Sequence, residues 1–209
     1  MQEVLVFGDS LTWGADPQTG ARHPYPIRFP SILSKELGDK VYIVADGLGG
    51  RNTSFDDFSG PCDRNAARTL PVLLGTHQPL DLVVIMLGTN DLKPYICGLA
   101  SGAAAGMKRL IQIVKYFPYK SGNIPKILVI APPPCVAGPG GAPAQNRSIS
   151  ESQALAPAYR ALAQAENVAF FDAGQICSAS PIDGVHLSAE DTVALGKALL
   201  PVVKELLDQ

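Results

Sequence analysis

The sequence is poor in charged side chains and has no block of a single charge sign. Charged residues make up 17% of its 209 residues, against about 25% in an average soluble chain, and the formal net charge is -2. Because nucleic-acid binding requires a positive stripe opposite the phosphates, no nucleic-acid partner is expected. The low charge content favours a large core or a self-association surface, and we expect a homo-oligomer.

Long apolar runs are also missing. No run reaches the roughly 18 residues that a membrane-spanning helix needs. The N-terminal residues MQEVLVFGDS lack the basic region, the longer apolar segment and the small-residue cleavage site of a signal peptide. We therefore expect no membrane association and a cytoplasmic location.

Residues that bind metals or form disulfides are few. The chain has four cysteines and three histidines. No cysteine pair has C-x-x-C spacing, and no histidine lies at zinc spacing from a cysteine. The sequence predicts no metal site and favours reduced thiols, while disulfides remain possible. The cysteines are Cys62, Cys97, Cys135 and Cys177.

Five short, nearly continuous apolar runs predict strands that are buried on both faces. Helical stretches fall between them, at 32–37, 103–117, 152–166 and 189–207. This alternation predicts a parallel sheet with helices on both faces, in a single domain over residues 1–209. The predicted strands are Glu3–Phe7, Val41–Ala45, Leu82–Leu87, Lys126–Ala131 and Val168–Asp172.

Three long segments are predicted to be loops, at 15–30, 51–65 and 132–149. The last contains PPP and GPGGAP, which is too rich in proline and glycine for regular structure. Long loops inside a compact domain are usually functional or mobile. Because sites in parallel sheets form at the carboxyl ends of the strands, we expect these loops to build the walls of a pocket.

The first chemically informative motif is Gly8-Asp9-Ser10-Leu11, directly after the first predicted strand. It places the Ser10 hydroxyl at the carboxyl edge of the sheet, where it can face a cleft. The alternative is that Asp9 or Ser10 only caps a helix, because both residue types are good caps. The motif alone does not decide between these interpretations.

A second motif, Asp183-Gly184-Val185-His186, precedes the last predicted helix. A serine hydroxyl is a weak nucleophile that needs a neighbouring base, and histidine is the usual one near neutral pH. Asp183 is close enough to orient the His186 ring through its other N–H. The alternative is a surface turn that leads to a helix cap at Ser188.

Two further motifs follow the second and third strands. Attack on an ester carbonyl creates an oxyanion, which requires preorganised N–H donors. The segment Gly47–Arg51 (GLGGR) allows close approach of backbone N–H groups, and Asn90 in GTND offers a carboxamide donor. The alternatives are a flexible turn at the first segment, and at the second a turn in which Asp91 caps a helix. Together the four motifs predict a nucleophile, a base, an orienting carboxylate and oxyanion donors on one rim of the sheet.

These motifs resemble the four sequence blocks of the SGNH hydrolases, also called GDSL-type esterases and lipases. Ser10 lies in GDSL, Gly50 in GLGGR, Asn90 in GTND and His186 in DGVH. The blocks are in the family order and extend over nearly the whole chain. The longer strings FGDSLTWG, LDLVVIMLGTNDLK and DGVHLS are similar to the bacterial arylesterase and acyltransferase branch, some of whose members carry out perhydrolysis.

The resemblance implies a three-layer α/β/α sandwich with a flavodoxin-like fold. It implies Ser10 as nucleophile, His186 as base and then acid, and Asp183 as its orienting partner. The oxyanion donors would be the backbone N–H groups of Ser10 and Gly50 and the side chain of Asn90. No metal or organic cofactor is implied. The acyl acceptor would be water, an alcohol or a peroxide.

The residues that contact the substrate are less clearly indicated by the sequence. Gly49 adjoins Gly50 and is a candidate substrate contact. Trp13, the only tryptophan, either lines the acyl pocket or packs in the core. His23 either contacts substrate or faces water, and for Arg51 the solvated position is favoured. The resembled branch often forms oligomers that narrow the pocket, which would favour short acyl chains.

The leading hypothesis is therefore an esterase of short-chain or aryl esters, with acyl transfer as a further activity. A carbohydrate acetylesterase is the alternative that keeps the same chemistry. The remaining alternative is a non-catalytic flavodoxin-like binding module, in which the pairing of Asp183 with His186 would have no function.

Overall fold

The computed structural model describes residues 1–208, which fold around a five-stranded, all-parallel sheet. The strand order is β2-β1-β3-β4-β5, the order of flavodoxin-like sheets. The predicted parallel sheet is confirmed, and no strand end differs from the predicted one by more than two residues. The strands are β1 (Gln2–Gly8), β2 (Val41–Gly47), β3 (Leu82–Met86), β4 (Lys126–Ala131) and β5 (Ala169–Asp172).

Helices follow the strands and cover both faces of the sheet. They are α1 (Ser10–Trp13), α2 (Phe29–Leu37), α3 (Ala66–His77), α4 (Ala100–Tyr116), α5 (Ile149–Glu166) and α6 (Ala189–Asp208). Short 3-10 turns lie at Tyr25–Ile27, Gly38–Lys40, Ala144–Asn146 and Ala173–Gln175. No helix within residues 1–208 is both long enough and apolar enough to cross a membrane.

Three helices begin earlier than the apolar pattern predicts. Helices α2, α4 and α5 start before the predicted positions 32, 103 and 152. In α2, Pro30 lies in the first turn, where its missing N–H would have had no helical partner. In α5, the Ser148 hydroxyl accepts a hydrogen bond from the Glu151 backbone N–H at 3.2 Å. The predicted loops 15–30 and 132–149 are therefore slightly too long.

Helix α3 was not predicted from the sequence. It contains Pro71 and Gly75, which weaken a helical pattern. The helix forms because Asn65 caps its N-terminus, accepting a hydrogen bond from the Ala67 N–H at 3.0 Å. Its buried side chains also recur at helical spacing and pack on the sheet. These side chains are Ala66, Leu70 and Leu74.

The core is divided between the two faces of the sheet because strand side chains alternate. Leu5 and Phe7 of β1 pack under α3, α4 and α5. Val4 and Val6 point to the opposite face, which α2 and α6 cover. All four side chains are completely buried, as the continuous apolar runs predicted. The three layers predicted from the resemblance are therefore present.

The sheet has a topological switch point between β1 and β3. The chain leaves β1 towards β2 on one side and then returns to β3 on the other. Loops that follow these strands diverge there and leave a crevice at the carboxyl edge. The segments after β1, β2 and β3 are those that carry GDSL, GLGGR and GTND.

Candidate active site

Ser10 stands at the N-terminus of α1, immediately after β1. The preceding residue, Asp9, caps this short helix: its carboxylate accepts a hydrogen bond from the Leu11 N–H at 2.9 Å. Part of the capping alternative is therefore correct, but for Asp9 rather than Ser10. Because Asp9 has this role, the partly exposed Ser10 hydroxyl is free to point into the crevice.

The Ser10 hydroxyl contacts the imidazole of His186. The distance from Ser10 Oγ to His186 Nε2 is 2.9 Å, although the two residues are 176 positions apart in the sequence. The other ring nitrogen, Nδ1, lies 2.5 Å from Asp183 Oδ2. With Nδ1 protonated towards the carboxylate, Nε2 is free to accept the hydroxyl proton. The three predicted side chains are thus within hydrogen-bonding distance in the required order.

Asp183 is held by its own turn. Its Oδ1 accepts hydrogen bonds from the Val185 and His186 backbone N–H groups, each at 2.9 Å. Although burial raises the pKa of Asp183, these bonds and the bond from the His186 ring lower it below 3.8 overall. The carboxylate therefore stays ionised at neutral pH, where it can orient the imidazole.

The turn of Asp183 depends on Gly184, which has a positive φ of 77°. A Cβ at this position would lie 2.2 Å from the Val136 carbonyl oxygen. The close approach permits two bonds to loop 132–149: Val136 N–H donates to the Gly184 carbonyl at 3.0 Å, and Ala144 N–H donates to the Asp183 carbonyl at 2.7 Å. The loop therefore helps to fix the position of the orienting carboxylate.

Two backbone N–H groups remain available beside the Ser10 hydroxyl. Ser10 N–H belongs to the first turn of α1, where no helical acceptor exists. Gly50 lies in the turn after β2 with φ 83°. Within residues 1–208, neither N–H donates to a protein acceptor. Both residues line the same cavity, so both N–H groups are candidates for binding an oxyanion.

Asn90 is almost completely buried, at 2% exposure, and its carboxamide has a defined orientation. Its Nδ2 donates to the Arg51 carbonyl at 3.0 Å and to Asp9 Oδ2 at 3.2 Å. Its Oδ1 accepts from Arg147 Nη2 at 2.8 Å. These three contacts fix which end of the amide carries the donors. The amide also lines the crevice next to Ser10.

The alternative assigned to Asp91 is wrong. Asp91 is fully buried and caps no helix. It accepts hydrogen bonds from the Thr53 hydroxyl at 2.5 Å and from the Thr53 backbone N–H at 3.1 Å. Burial raises the pKa of Asp91 to about 7, despite these bonds from Thr53. The residue ties the GTND turn to the loop at 51–65.

Arg51 does not occupy the solvated position that was favoured for it. Its side chain is 5% exposed and forms an ion pair with Asp46 at 2.7 Å. It also donates to the Gly8 and Asp46 carbonyls, both at 2.8 Å, and its guanidinium lies 4.2 Å from the centre of the Phe7 ring. It therefore supports the ends of β1 and β2 instead of facing water.

His23 also differs from both interpretations offered for it. It is 6% exposed, and its Nε2 lies 3.0 Å from the Leu187 carbonyl oxygen. This contact joins the loop after α1 to the residue that follows His186. The sequence around His23 does not indicate this contact, because the partners are 164 positions apart.

The four cysteines are free in the structure, as expected. Cys135 and Cys177 are buried, and burial raises the pKa of both thiols, to about 12 for Cys177. Such thiols are poor nucleophiles at neutral pH. They do not compete with Ser10 for the role of nucleophile.

The crevice is a cavity of about 290 Å³, and every residue predicted for the site lines it except Asp183. Trp13 is among its lining residues and is only partly buried, which favours the pocket over the core for this side chain. Gly49 also lines the cavity. The predicted residues that line it are Ser10, Trp13, Gly49, Gly50, Asn90 and His186.

Four other residues of the site were not recognised from the sequence. Asp9 and Arg147 hold the Asn90 carboxamide, and Arg64 and Lys93 line the cavity. Arg147 and Arg64 lie in segments without a recognisable motif, so nothing local indicated their roles. Lys93 is the second residue after GTND, and its position in the string GTNDLK was the one available signal.

Comparison with protein families gives a match to the GDSL-like lipase/acylhydrolase family over residues 6–193. Comparison with curated proteins gives no significant match. The family match includes the segments of all four motifs. It extends over most of the sheet and ends within the last helix.

Three solved structures illustrate the similarity of this chain to known proteins. A proposed arylesterase from Agrobacterium tumefaciens str. C58 is 57% identical, with a TM-score of 0.97, over 99% of this chain and 100% of that one. A carbohydrate acetylesterase family member from Sinorhizobium meliloti is 46% identical, with a TM-score of 0.96, over 100% of both chains. The aryl esterase of M. smegmatis is 37% identical, with a TM-score of 0.92, over 99% of this chain and 100% of that one.

Proposed function

The chain belongs to the GDSL-like lipase/acylhydrolase family, and on that basis we propose that Ser10 is the nucleophile of an esterase acting on short-chain or aryl esters. Family membership and the arylesterase structures make the chain a carboxylic ester hydrolase of the SGNH type. The observation that carries the assignment of Ser10 is its 2.9 Å contact with His186, which Asp183 orients.

The proposed reaction begins when Ser10 Oγ attacks the ester carbonyl carbon. The hydroxyl proton passes to His186 Nε2, and the Asp183 carboxylate stabilises the resulting imidazolium. The carbonyl oxygen becomes an oxyanion within reach of the Ser10 and Gly50 N–H groups. His186 then protonates the leaving alcohol or phenol as the carbon–oxygen bond breaks, which leaves an acyl group on Ser10.

Asn90 is proposed as the third oxyanion donor. Both N–H bonds of its Nδ2 already have protein acceptors, the Arg51 carbonyl oxygen at 3.0 Å and Asp9 Oδ2 at 3.2 Å. The proposal therefore requires an oxyanion to take over one of these bonds, and the longer bond to Asp9 is the weaker competitor. Catalytic hydrogen bonds often reach their final alignment only when substrate is bound.

Deacylation reverses these roles. An acceptor gives its proton to His186 while its oxygen attacks the acyl carbon. The acyl–Ser10 bond then breaks, and His186 returns the proton to Ser10 Oγ. We propose water, an alcohol or a peroxide as acceptor, and a small cavity of about 290 Å³ favours short acyl groups. To distinguish acyl transfer from hydrolysis, an alcohol is added during the reaction, and the amount of new ester formed is compared with the amount of acid released.

The assignment is tested with Ser10→Ala and 4-nitrophenyl acetate. We expect turnover to fall by at least about 10⁴-fold, because no other group can form the acyl-enzyme, while the melting temperature stays near that of the parent. Ser34→Ala, in α2, is the matched control and should keep full turnover. A fluorophosphonate probe should label Ser10 in the parent protein.

Unchanged turnover in Ser10→Ala would refute Ser10 as nucleophile. Failure of the fluorophosphonate to label the parent protein, together with no esterase activity, would favour a non-catalytic binding module instead.

A carbohydrate acetylesterase is the second candidate, because the 46%-identical relative from Sinorhizobium meliloti is described as a member of that class. It would use the same Ser10 chemistry on acetyl groups of sugars. Comparing kcat/KM for acetate release from acetylated sugars and from aryl acetates separates the candidates. A clear preference for the sugar substrates would replace the aryl-ester assignment.

A further inference from the structure

The charged side chains that line the proposed catalytic cavity are all cationic. Arg64, Lys93 and Arg147 line it, and no aspartate or glutamate of residues 1–208 does. This asymmetry is local, because the whole chain carries a formal net charge of -2. A cleft lined by one sign of charge raises the local concentration of ligands of the opposite sign.

Lys93 is buried but incompletely paired. Its side chain is 3% exposed, and its Nζ has one protein acceptor among residues 1–208, Asp57 Oδ2 at the long distance of 3.5 Å. The ammonium group also lies 5.7 Å from the centre of the Tyr95 ring. A lysine carries three N–H donors and is rarely buried without a close partner. The ammonium group therefore retains donors for a further acceptor.

Arg64 shares the same carboxylate. Its Nη1 donates to Asp57 Oδ2 at 3.1 Å and to the Ser59 hydroxyl at 2.9 Å. Its guanidinium covers Gly50: a Cβ on that glycine would lie 2.6 Å from Arg64 Nε. Its Nε and Nη2 donate to no protein acceptor within residues 1–208. One carboxylate thus lies between two cations, and a net positive charge remains beside the proposed oxyanion site.

Arg147 adds a third positive charge. Its guanidinium donates to the Thr89 and Ala144 carbonyls and to Asn90 Oδ1, all neutral acceptors. It forms no ion pair within the described part of the chain. These three bonds are to protein acceptors, and its charge contributes to the potential in the cavity that it lines.

We propose that the cavity selects esters that carry a carboxylate, which Lys93 and Arg64 bind while Ser10 attacks the ester carbonyl. The inference rests on the proposed function, since it names the substrate class of the same site. The free donors of Lys93 and Arg64 match the acceptors of a carboxylate, and such charge-assisted hydrogen bonds are stronger than neutral ones. A neutral ester of equal size would leave these cations without the additional acceptor.

Two pairs of substrates test the preference on either side of the ester. The acyl-side pair is mono-4-nitrophenyl succinate and 4-nitrophenyl 4-methylpentanoate, with the uncatalysed rate subtracted. The leaving-group pair is 4-carboxyphenyl acetate and 4-carbamoylphenyl acetate. We expect kcat/KM to favour the carboxylate by about tenfold or more in at least one pair, as one charge-assisted bond would give. The preferred pair shows on which side the carboxylate binds.

Variants separate charge recognition from a general effect on the reaction. Lys93→Met should reduce the ratio of kcat/KM between carboxylate and neutral ester by about tenfold, and Lys93→Arg should restore most of it. Lys120→Met, at an exposed lysine, should leave the ratio unchanged. If Lys93→Met does not fold, Arg64→Gln measures the same ratio.

The proposal is wrong if the parent protein shows no carboxylate preference in either pair. It is also wrong if Lys93→Met slows both members of a pair equally, because the cations then act only on the oxyanion or on loop structure. Either result leaves the assignment of Ser10 intact, since that is tested on a neutral ester. Loss of the Ser10 assignment would instead appear as turnover in Ser10→Ala.

Discussion

At the scale of single residues, the carboxamide of Asn90 depends on its neighbours for its orientation. Arg147 donates to its Oδ1, and Asp9 and the Arg51 carbonyl accept from its Nδ2. Burial is the main factor that raises the pKa of Asp9, partly offset by the Leu11 N–H and nearby cations. The position of a proposed oxyanion donor is thus set by residues with no reacting atom.

Substitution of Arg147 tests this positioning role. Arg147→Met removes the bond to Asn90 Oδ1, so the carboxamide can rotate and lose its alignment with the oxyanion. We expect kcat for 4-nitrophenyl acetate to fall by about 10²-fold, the typical cost of losing one oxyanion donor, with a smaller effect on KM. Steady-state kinetics provide the measurement.

The exposed Arg109 of α4 supplies a matched control, because Arg109→Met removes the same charge without touching the site. A lower melting temperature with unchanged kcat in Arg147→Met would show that Arg147 only supports the fold.

At the scale of elements, the loop at 51–65 is fixed without helix or strand of its own. Asn52 and Asn65 form an isolated bridge at its two ends, and Thr53 donates to Asp91. Its middle is held by Asp57, which contacts Arg64 and Lys93. The loop therefore belongs to the cavity wall because of its polar contacts with the GTND turn.

The pH dependence of stability should report the Asp57 contacts. Although burial raises the pKa of Asp57, hydrogen bonds from Ser59, the charge of Lys93 and a hydrogen bond from Arg64 lower it to about 2, from 3.8. A lowered pKa in the folded state stabilises the protein above the unfolded value, and the contribution is lost as the pH falls from about 4 to about 2. The shift corresponds to about 2 kcal/mol.

Urea unfolding between pH 6 and pH 2 measures this contribution. Asp57→Asn should be less stable than the parent at pH 6, and the difference should shrink towards pH 2. Asp39→Asn, at an exposed position, should follow the parent curve. A constant difference between Asp57→Asn and the parent at every pH would mean that the ionised carboxylate contributes nothing.

At the scale of the whole molecule, the low charge content coincides with exposed aromatic side chains near the cavity. Phe58 is 89% and Tyr95 is 56% exposed. Phe58 follows Asp57 and Tyr95 is two residues after Lys93, in the two loops that the Asp57–Lys93 contact joins. Exposed apolar surface of this kind often marks an association site. Lys93 lines the proposed pocket, so Tyr95 belongs to a segment that contributes to the pocket wall.

We expect the protein to form a homo-oligomer through this surface. Light scattering after size-exclusion chromatography should give a mass that is a multiple of 22.0 kDa. Phe58→Ser should shift the mass towards the monomer, because the Phe58 ring is more exposed than the Tyr95 ring. Tyr116→Ser, which alters an 81% exposed ring at the end of α4, should not. A parent protein that is monomeric at high concentration would contradict the expectation.

Local sequence patterns were sufficient to predict the sheet and the edge at which the candidate site lies. Continuous apolar runs identify strands buried on both faces, since a strand covered by helices exposes no polar side chain. Ser10, Gly50 and Asn90 follow three of those strands, and the carboxyl ends of parallel strands share one edge. These inferences need only local patterns and one geometric rule.

The contacts that surround those residues could be seen only in the folded molecule. These contacts join residues from separate loops. Arg51 is buried against the end of β1, Arg147 donates to Asn90, and Asp57 pairs with both Arg64 and Lys93. Helix α3 likewise forms despite Pro71 because its apolar side packs on the sheet. A local sequence window contains one partner of each contact, whereas burial and charge pairing depend on both.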